Sequence, residues 1–184
     1  MAYGLKQQGA DMLGLATALL FAQAASAVAT PPPAPCADAA HAQFDFWVGD
    51  WDVYPNGSDK LVAHSRIEKL YAGCAVRENW MPLRGTGGGS LNSVDPATGR
   101  WHQEWVGSAP GRIDFDGGLV GGEMVLTGYS PYAGGGPGKA GLVRIVYTPN
   151  ADGSVRQHGT ASFDEGLTWQ ESYDFIYRPH KAGA

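Results

Sequence analysis

Beyond residue 44 the chain alternates apolar and polar side chains in short runs, with none of the sustained 3.6-residue period that marks a helix. Strand-like runs fall at 46–54, 61–71, 74–82, 88–94, 100–106, 112–119, 122–129, 141–148, 153–163 and 167–178. Turn chemistry separates them. Asp95-Pro96-Ala97-Thr98-Gly99 and Pro149-Asn150-Ala151-Asp152-Gly153 supply the Pro, Asn, Asp and Gly that tight reversals need, and Gly117-Gly118 and Gly121-Gly122 bracket another link. Ser130 to Ala140 is longer and Gly-rich, which predicts a flexible rim loop and a candidate lid. Sequential short strands at regular spacing form a meander, closed into a barrel or folded as a sandwich. A barrel leaves no exposed edge, and about ten meandering strands leave an interior wide enough for a ligand. The expectation is therefore an all-β fold, a single antiparallel up-and-down β-barrel spanning 44–180, with a short tail at 181–184.

The period of two sorts the faces. Trp101, Gln103 and Trp105 share one face of their run, and Val76, Glu78 and Trp80 share one face of theirs. Val155, Gln157, Gly159, Ala161 and Phe163 fall together, as do Trp169, Glu171, Tyr173, Phe175 and Tyr177. Each of these apolar faces thus carries a lone polar residue: Glu78, Gln103, Gln157 or Glu171. Turned into a dry core, such a group costs several kcal/mol unless paired. Two arrangements meet this demand. In one, the faces line a wet or ligand-filled cavity with Glu78, Trp80, Trp101, Gln103, Trp105, Gln157, Trp169, Glu171 and Tyr173 around the ligand. In the other, the polar residues are solvated at the barrel mouths or bridge to Arg144 and Arg156. Were Glu78 and Glu171 neighbours, the two carboxyls could also perform acid–base chemistry.

Composition narrows the partners. The 184 residues include 27 Gly and 12 Pro, with 11% aromatic and 17% charged side chains, which fits neither a disordered chain nor a helical bundle. The net charge is −5 and no Lys/Arg cluster occurs, so nucleic acid is not an expected partner. Met12 to Ala22 is apolar but too short to span a bilayer, and Ala25-Ser26-Ala27 follows with the A-x-A pattern of signal cleavage. Residues 1–27 then read as a signal peptide and 28–43 as an extended Pro/Ala linker; the alternative is a buried N-terminal helix. No second apolar run exists to serve as a transmembrane anchor, so the expected location is periplasmic or secreted. In an oxidising compartment the chain's 2 cysteines, Cys36 and Cys74, invite a disulfide, the alternative being two free thiols. They lack the CxxC spacing of zinc sites, and no metal or cofactor is expected.

The run Phe44-Asp45-Phe46-Trp47-Val48-Gly49-Asp50-Trp51-Asp52-Val53 resembles the opening signature F-D-F-W-x-G-x-W-D-V of a bacterial family of exported, lipocalin-like (calycin) proteins of unknown function. The resemblance continues at Arg66-Ile67-Glu68, Gly73-Cys74, Glu78-Asn79-Trp80, Ser90-Leu91-Asn92 and Asp95-Pro96. Later it covers Trp101-His102-Gln103-Glu104-Trp105-Val106, Val155-Arg156-Gln157, Thr168-Trp169 and Tyr177-Arg178. It implies a barrel in which Trp51 closes one end and Arg178, on the last strand, packs across it. Two departures stand out. Glu165 replaces a Gly of the family's S-x-D-G-G-x-T-W loop, and Gly159-Thr160 stands where the family carries Trp-Glu, a loss expected to enlarge the cavity.

Such barrels mostly hold small apolar molecules, so an unidentified, partly polar small-molecule ligand is the leading expectation. Related ten-stranded barrels such as nitrobindin bind haem through one His, which makes a haem-binding barrel a second possibility; the facing places His102 and His158 outside and leaves His64 open. A third is an enzyme, an isomerase, cyclase or hydrolase, although no nucleophile elbow, HExxH, Walker loop or Rossmann fingerprint occurs.

Overall fold

The computed structural model describes Met1, residues 34–136 and residues 138–181. The expected signal peptide beyond Met1, the linker up to residue 33 and residues 182–184 of the tail lie outside the described residues. The strands are β1 (Gly49–Pro55), β2 (Ala63–Leu70), β3 (Ala75–Pro82), β4 (Gly88–Val94), β5 (Trp101–Gly107), β6 (Arg112–Val120), β7 (Glu123–Ser130), β8 (Gly141–Pro149), β9 (Val155–Ser162) and β10 (Gln170–Pro179). Each pairs antiparallel with the next, and β10 returns to β1 through Val53↔Tyr177 and Tyr54↔Ile176 to close the barrel. This is the up-and-down barrel that the strand-period pattern predicts. Among the described residues no helix is long and apolar enough to cross a membrane.

One end of the barrel is plugged from within. The expected first strand at 46–54 starts later, because Asp45–Trp47 forms a 3-10 turn before β1. In an extended strand Phe44 and Trp47 would point to opposite faces. A 3-10 turn brings residues three apart onto one side, so the two rings stack at 4.9 Å between centroids and both are fully buried. Tyr147, Trp101 and Tyr177 pack around them, with Phe44–Tyr147 at 5.0 Å and Trp47–Tyr177 at 6.1 Å. Trp51 is buried beside this plug and donates its indole N–H to the Trp47 carbonyl at 2.9 Å.

The segment leading into the plug is folded rather than extended. Ala42 N–H donates to Asp38 O, Gln43 N–H to Ala40 O, and Lys69 Nζ donates to Asp45 Oδ1 at 2.5 Å. A disulfide joins Cys36 to Cys74, just before β3, and so bolts the segment to the barrel rim. Closing a loop with a sequence separation of 38 contributes roughly 3–4 kcal/mol through lost freedom of the unfolded chain.

Candidate functional site

Above the plug, the inward residues form two further layers. The middle layer is polar. Glu78, Asn92 and Gln103 come from β3, β4 and β5, and Tyr147, Gln157 and Tyr177 from β8, β9 and β10, all of them buried. They are joined into a ring of hydrogen bonds. Gln103 Nε2 donates to Asn92 Oδ1 at 2.6 Å and to Tyr147 Oη at 3.2 Å. Gln157 Nε2 donates to the same Tyr147 oxygen at 3.1 Å, and Tyr177 Oη donates to Gln157 Oε1 at 2.9 Å. Tyr177 Oη also lies 3.2 Å from Glu78 Oε1, which accepts from Ser65 Oγ at 3.0 Å. Asn92 Nδ2 donates to Ser90 Oγ at 3.1 Å, and Ser90 hydrogen-bonds to Glu78, closing the circle.

Counting hydrogens shows what this ring requires. Tyr177 has a single hydroxyl hydrogen but two acceptors within reach. With Gln157 Oε1 toward Tyr177, both contacts are satisfied together when Glu78 is protonated and donates to Tyr177, which in turn donates to Gln157. Burial acts in the same direction: it pushes the Glu78 carboxyl up to about 7, against the downward pull of its bonds from Ser65, Tyr177 and Ser90. Burial first, and second the charge that Glu78 carries once it ionises at higher pH, raise Tyr147, Tyr173 and Tyr177, so all three phenols stay neutral. Tyr147 accepts two amide hydrogens and keeps its own to give.

The upper layer is apolar and hollow. A cavity of about 340 Å³ opens toward the β7–β8 loop, with Trp80, Trp105, Ile113, Phe115, Val143 and Phe175 among its walls. Glu78, Gln103, Tyr147, Gln157 and Tyr177 form its floor, and Tyr132 and Ala133 stand at its mouth. These two come from the Gly-rich segment expected as a rim loop, whose fold is pinned by Gly134 N–H to Lys139 O and Gly135 N–H to Tyr132 O. A volume of this order is at the lower end of small-molecule pockets. Arg144 also borders the cavity, but its guanidinium lies 3.9 Å over the Trp169 ring.

Of the expected ligand-binding residues, Glu78, Trp80, Gln103, Trp105, Gln157 and Tyr173 line this cavity. Three do not. Trp101 is inward but sits lower, against Phe44, with its indole N–H on Gln43 Oε1 at 3.1 Å. Trp169 precedes β10 and lies under Arg144, its N–H donated to Gly166 O. Glu171 is on the outer wall, its side chain 64% exposed and 3.3 Å from His158 Nε2. The reason is a bulge: Glu171 pairs with Thr160 but Tyr173 with Gly159, so Ser172 is inserted and the alternation inverts there. A Glu78–Glu171 carboxyl pair therefore does not exist. Phe163, past the end of β9, is likewise exposed.

Arg178 is a further correction. Tyr177 takes the inward place beside Trp51, at 6.4 Å between rings, and alternation turns Arg178 outward, onto the Tyr54 ring at 4.4 Å and Asp59 at 2.8 Å. Gly159 does not enlarge the cavity as expected. A Cβ there would meet the Tyr173 ring at 2.3 Å, so this ring occupies the space that a larger residue at 159 would need. The facing analysis missed Tyr147 and Tyr177 as polar floor groups, although both fall on the inward period of their runs. It also missed Ser90 and Asn92, because in β4 the rule is reversed: Leu91 is 47% exposed and its polar neighbours are buried. Among the described residues no histidine lines the cavity, which leaves a haem there without an imidazole ligand.

No protein-family model matches the chain, and no curated protein matches it.

Proposed function

We propose that this chain is an exported lipocalin-like barrel that binds a small, neutral, partly polar molecule, with its apolar body among Trp80, Trp105, Ile113 and Phe175 and its polar end on the ring below. One observation carries the reading: an apolar-walled cavity ends on a buried hydrogen-bonded floor that retains an uncommitted donor, the Tyr147 hydroxyl. A floor of neutral phenols, amides and a carboxyl offers nothing to balance an anionic group, and the bordering Arg144 is already engaged with Trp169. A carbonyl or ether oxygen suits the Tyr147 donor best. The disulfide, the expected signal peptide and the family resemblance support export.

What the barrel carries from its own cells tests this. Untagged protein purified without detergent, denatured and examined by mass spectrometry, is expected to release one small neutral compound in stoichiometric amount. The Tyr147→Phe variant is expected to retain several-fold less of it. Equal retention by the variant counts against the floor assignment, and release only of a charged compound counts against the neutral class.

A further inference from the structure

A second cluster of chemically capable side chains lies on the outer wall, away from the cavity. Asp52 on β1, His64 on β2 and His180 just after β10 bring three ligand atoms within 4.8 Å of one another. His64 Nδ1 is 2.7 Å and His180 Nδ1 2.9 Å from the same carboxylate oxygen, Asp52 Oδ1. The two imidazoles stand edge to face at 5.7 Å between ring centroids. We propose that Asp52, His64 and His180 form a binding site for a divalent transition-metal ion, zinc being the natural probe.

Three features favour a metal over a pair of ordinary surface ion pairs. The donor set is two imidazole nitrogens and one carboxylate oxygen at a part-exposed position, the pattern that suits borderline divalent ions with open positions. Bonds of about 2.0–2.1 Å to a tetrahedral ion space its ligands roughly 3.3 Å apart, so each nitrogen-to-oxygen gap needs to open by only about half an ångström. Binding through Nδ1 requires the ring proton on Nε2, and both rings, at 40% and 44% exposed, can place that proton in water.

The backbone is also prepared. His180 N–H donates to Asp50 O at 2.9 Å, and Asp52 pairs with His64 across β1 and β2, so both histidines are held at fixed register beside Asp52. The guanidiniums on the neighbouring strand positions are engaged elsewhere: Arg66 with Asp50 at 2.6 Å, and Arg178 with Asp59. The contrast is His158, Glu171 and Asp174, a comparable outer cluster. There Arg156 already grips both Asp174 oxygens at 2.8 and 2.7 Å, so a cation fills the place an ion would take. Because β10 and β2 flank β1, an ion on the first cluster would staple the strands at the seam where the barrel closes.

The test is a zinc titration of untagged protein by calorimetry, with thermal unfolding as a second readout. The expected result is one Zn²⁺ per chain at micromolar Kd, with a raised Tm in zinc. His64→Gln and His180→Gln, both at part-exposed positions, should each weaken binding at least tenfold and abolish the Tm rise. His158→Gln should leave both unchanged. Absence of saturable binding in the wild type overturns the proposal. So does zinc binding that survives both His64→Gln and His180→Gln, or that His158→Gln removes.

Discussion

Glu78 is the residue on which the interior chemistry turns. It is 3% exposed and faces Ser65 from β2, Ser90 from β4, Tyr177 from β10 and, at longer range, Tyr147 from β8 and Tyr173 from β10, with no cation among these groups. Its carboxyl is raised from 4.5 to about 7, so between those values the folded state holds a proton that the unfolded chain has released. Stability from this group is therefore complete below pH 4.5, falls as pH rises toward 7, and is flat above. The loss is of the order of 3 kcal/mol. Asp52, Asp95, Asp152, Asp164 and Asp174 are shifted down and act in the opposite sense, only at pH values near and below 3.8. Urea unfolding with the disulfide intact should show the wild type losing stability between pH 5 and pH 8, while Glu78→Gln, which keeps shape and bonding capacity, loses much less. Parallel curves for the two proteins would show that Glu78 titrates normally.

At the scale of elements, the strands were legible in the sequence because a half-buried strand writes its period directly into the chain. The pieces that escaped are those where local chemistry overrides that period. Trp47, inside the expected strand 46–54, lies instead in a 3-10 turn that stacks its ring on Phe44 in one plug. The inserted Ser172 in β10 sends Glu171 outward, a shift that no residue type announces. β10 also starts later than the apolar run at 167 suggests, because Asp164 ties up the preceding loop. Its carboxylate accepts from Thr168 N–H and Ser162 Oγ, each at 2.8 Å, and from Thr168 Oγ1 at 2.5 Å; led by these Thr168 bonds it falls to about 2.

That loop holds a residue its backbone does not favour. Glu165 sits at φ +60°, left-handed territory, immediately before Gly166 at φ +91°. A side chain there carries a steric cost of about 1 kcal/mol that glycine avoids, partly offset by glycine's greater freedom when unfolded. Glu165→Gly is accordingly expected to raise the urea midpoint by the equivalent of about 0.5 kcal/mol, with no change in the fold. A lowered midpoint would mean that the exposed Glu165 side chain makes a stabilising contact.

On the scale of the whole molecule, the barrel divides along its axis into an aromatic plug, a polar ring and an apolar cup. The sequence disclosed the cup and part of the ring, since Trp80, Gln103, Trp105, Gln157 and Tyr173 fall on inward periods. It did not disclose that the ring closes on itself, because its members are spread over six strands and meet only when β10 returns to β1. Nor could His64 and His180 be read as companions, for the same closure brings them to Asp52. The most direct measurement of the central claim, that the cup is a binding site, is a fluorescence titration with the neutral probe N-phenyl-1-naphthylamine. Saturable binding with quenching of tryptophan emission is expected in the wild type, and at least a tenfold loss of affinity in Trp105→Ala, whose indole forms part of the wall. Equal affinity in that variant, or no saturable binding to ligand-stripped wild-type protein, would contradict it.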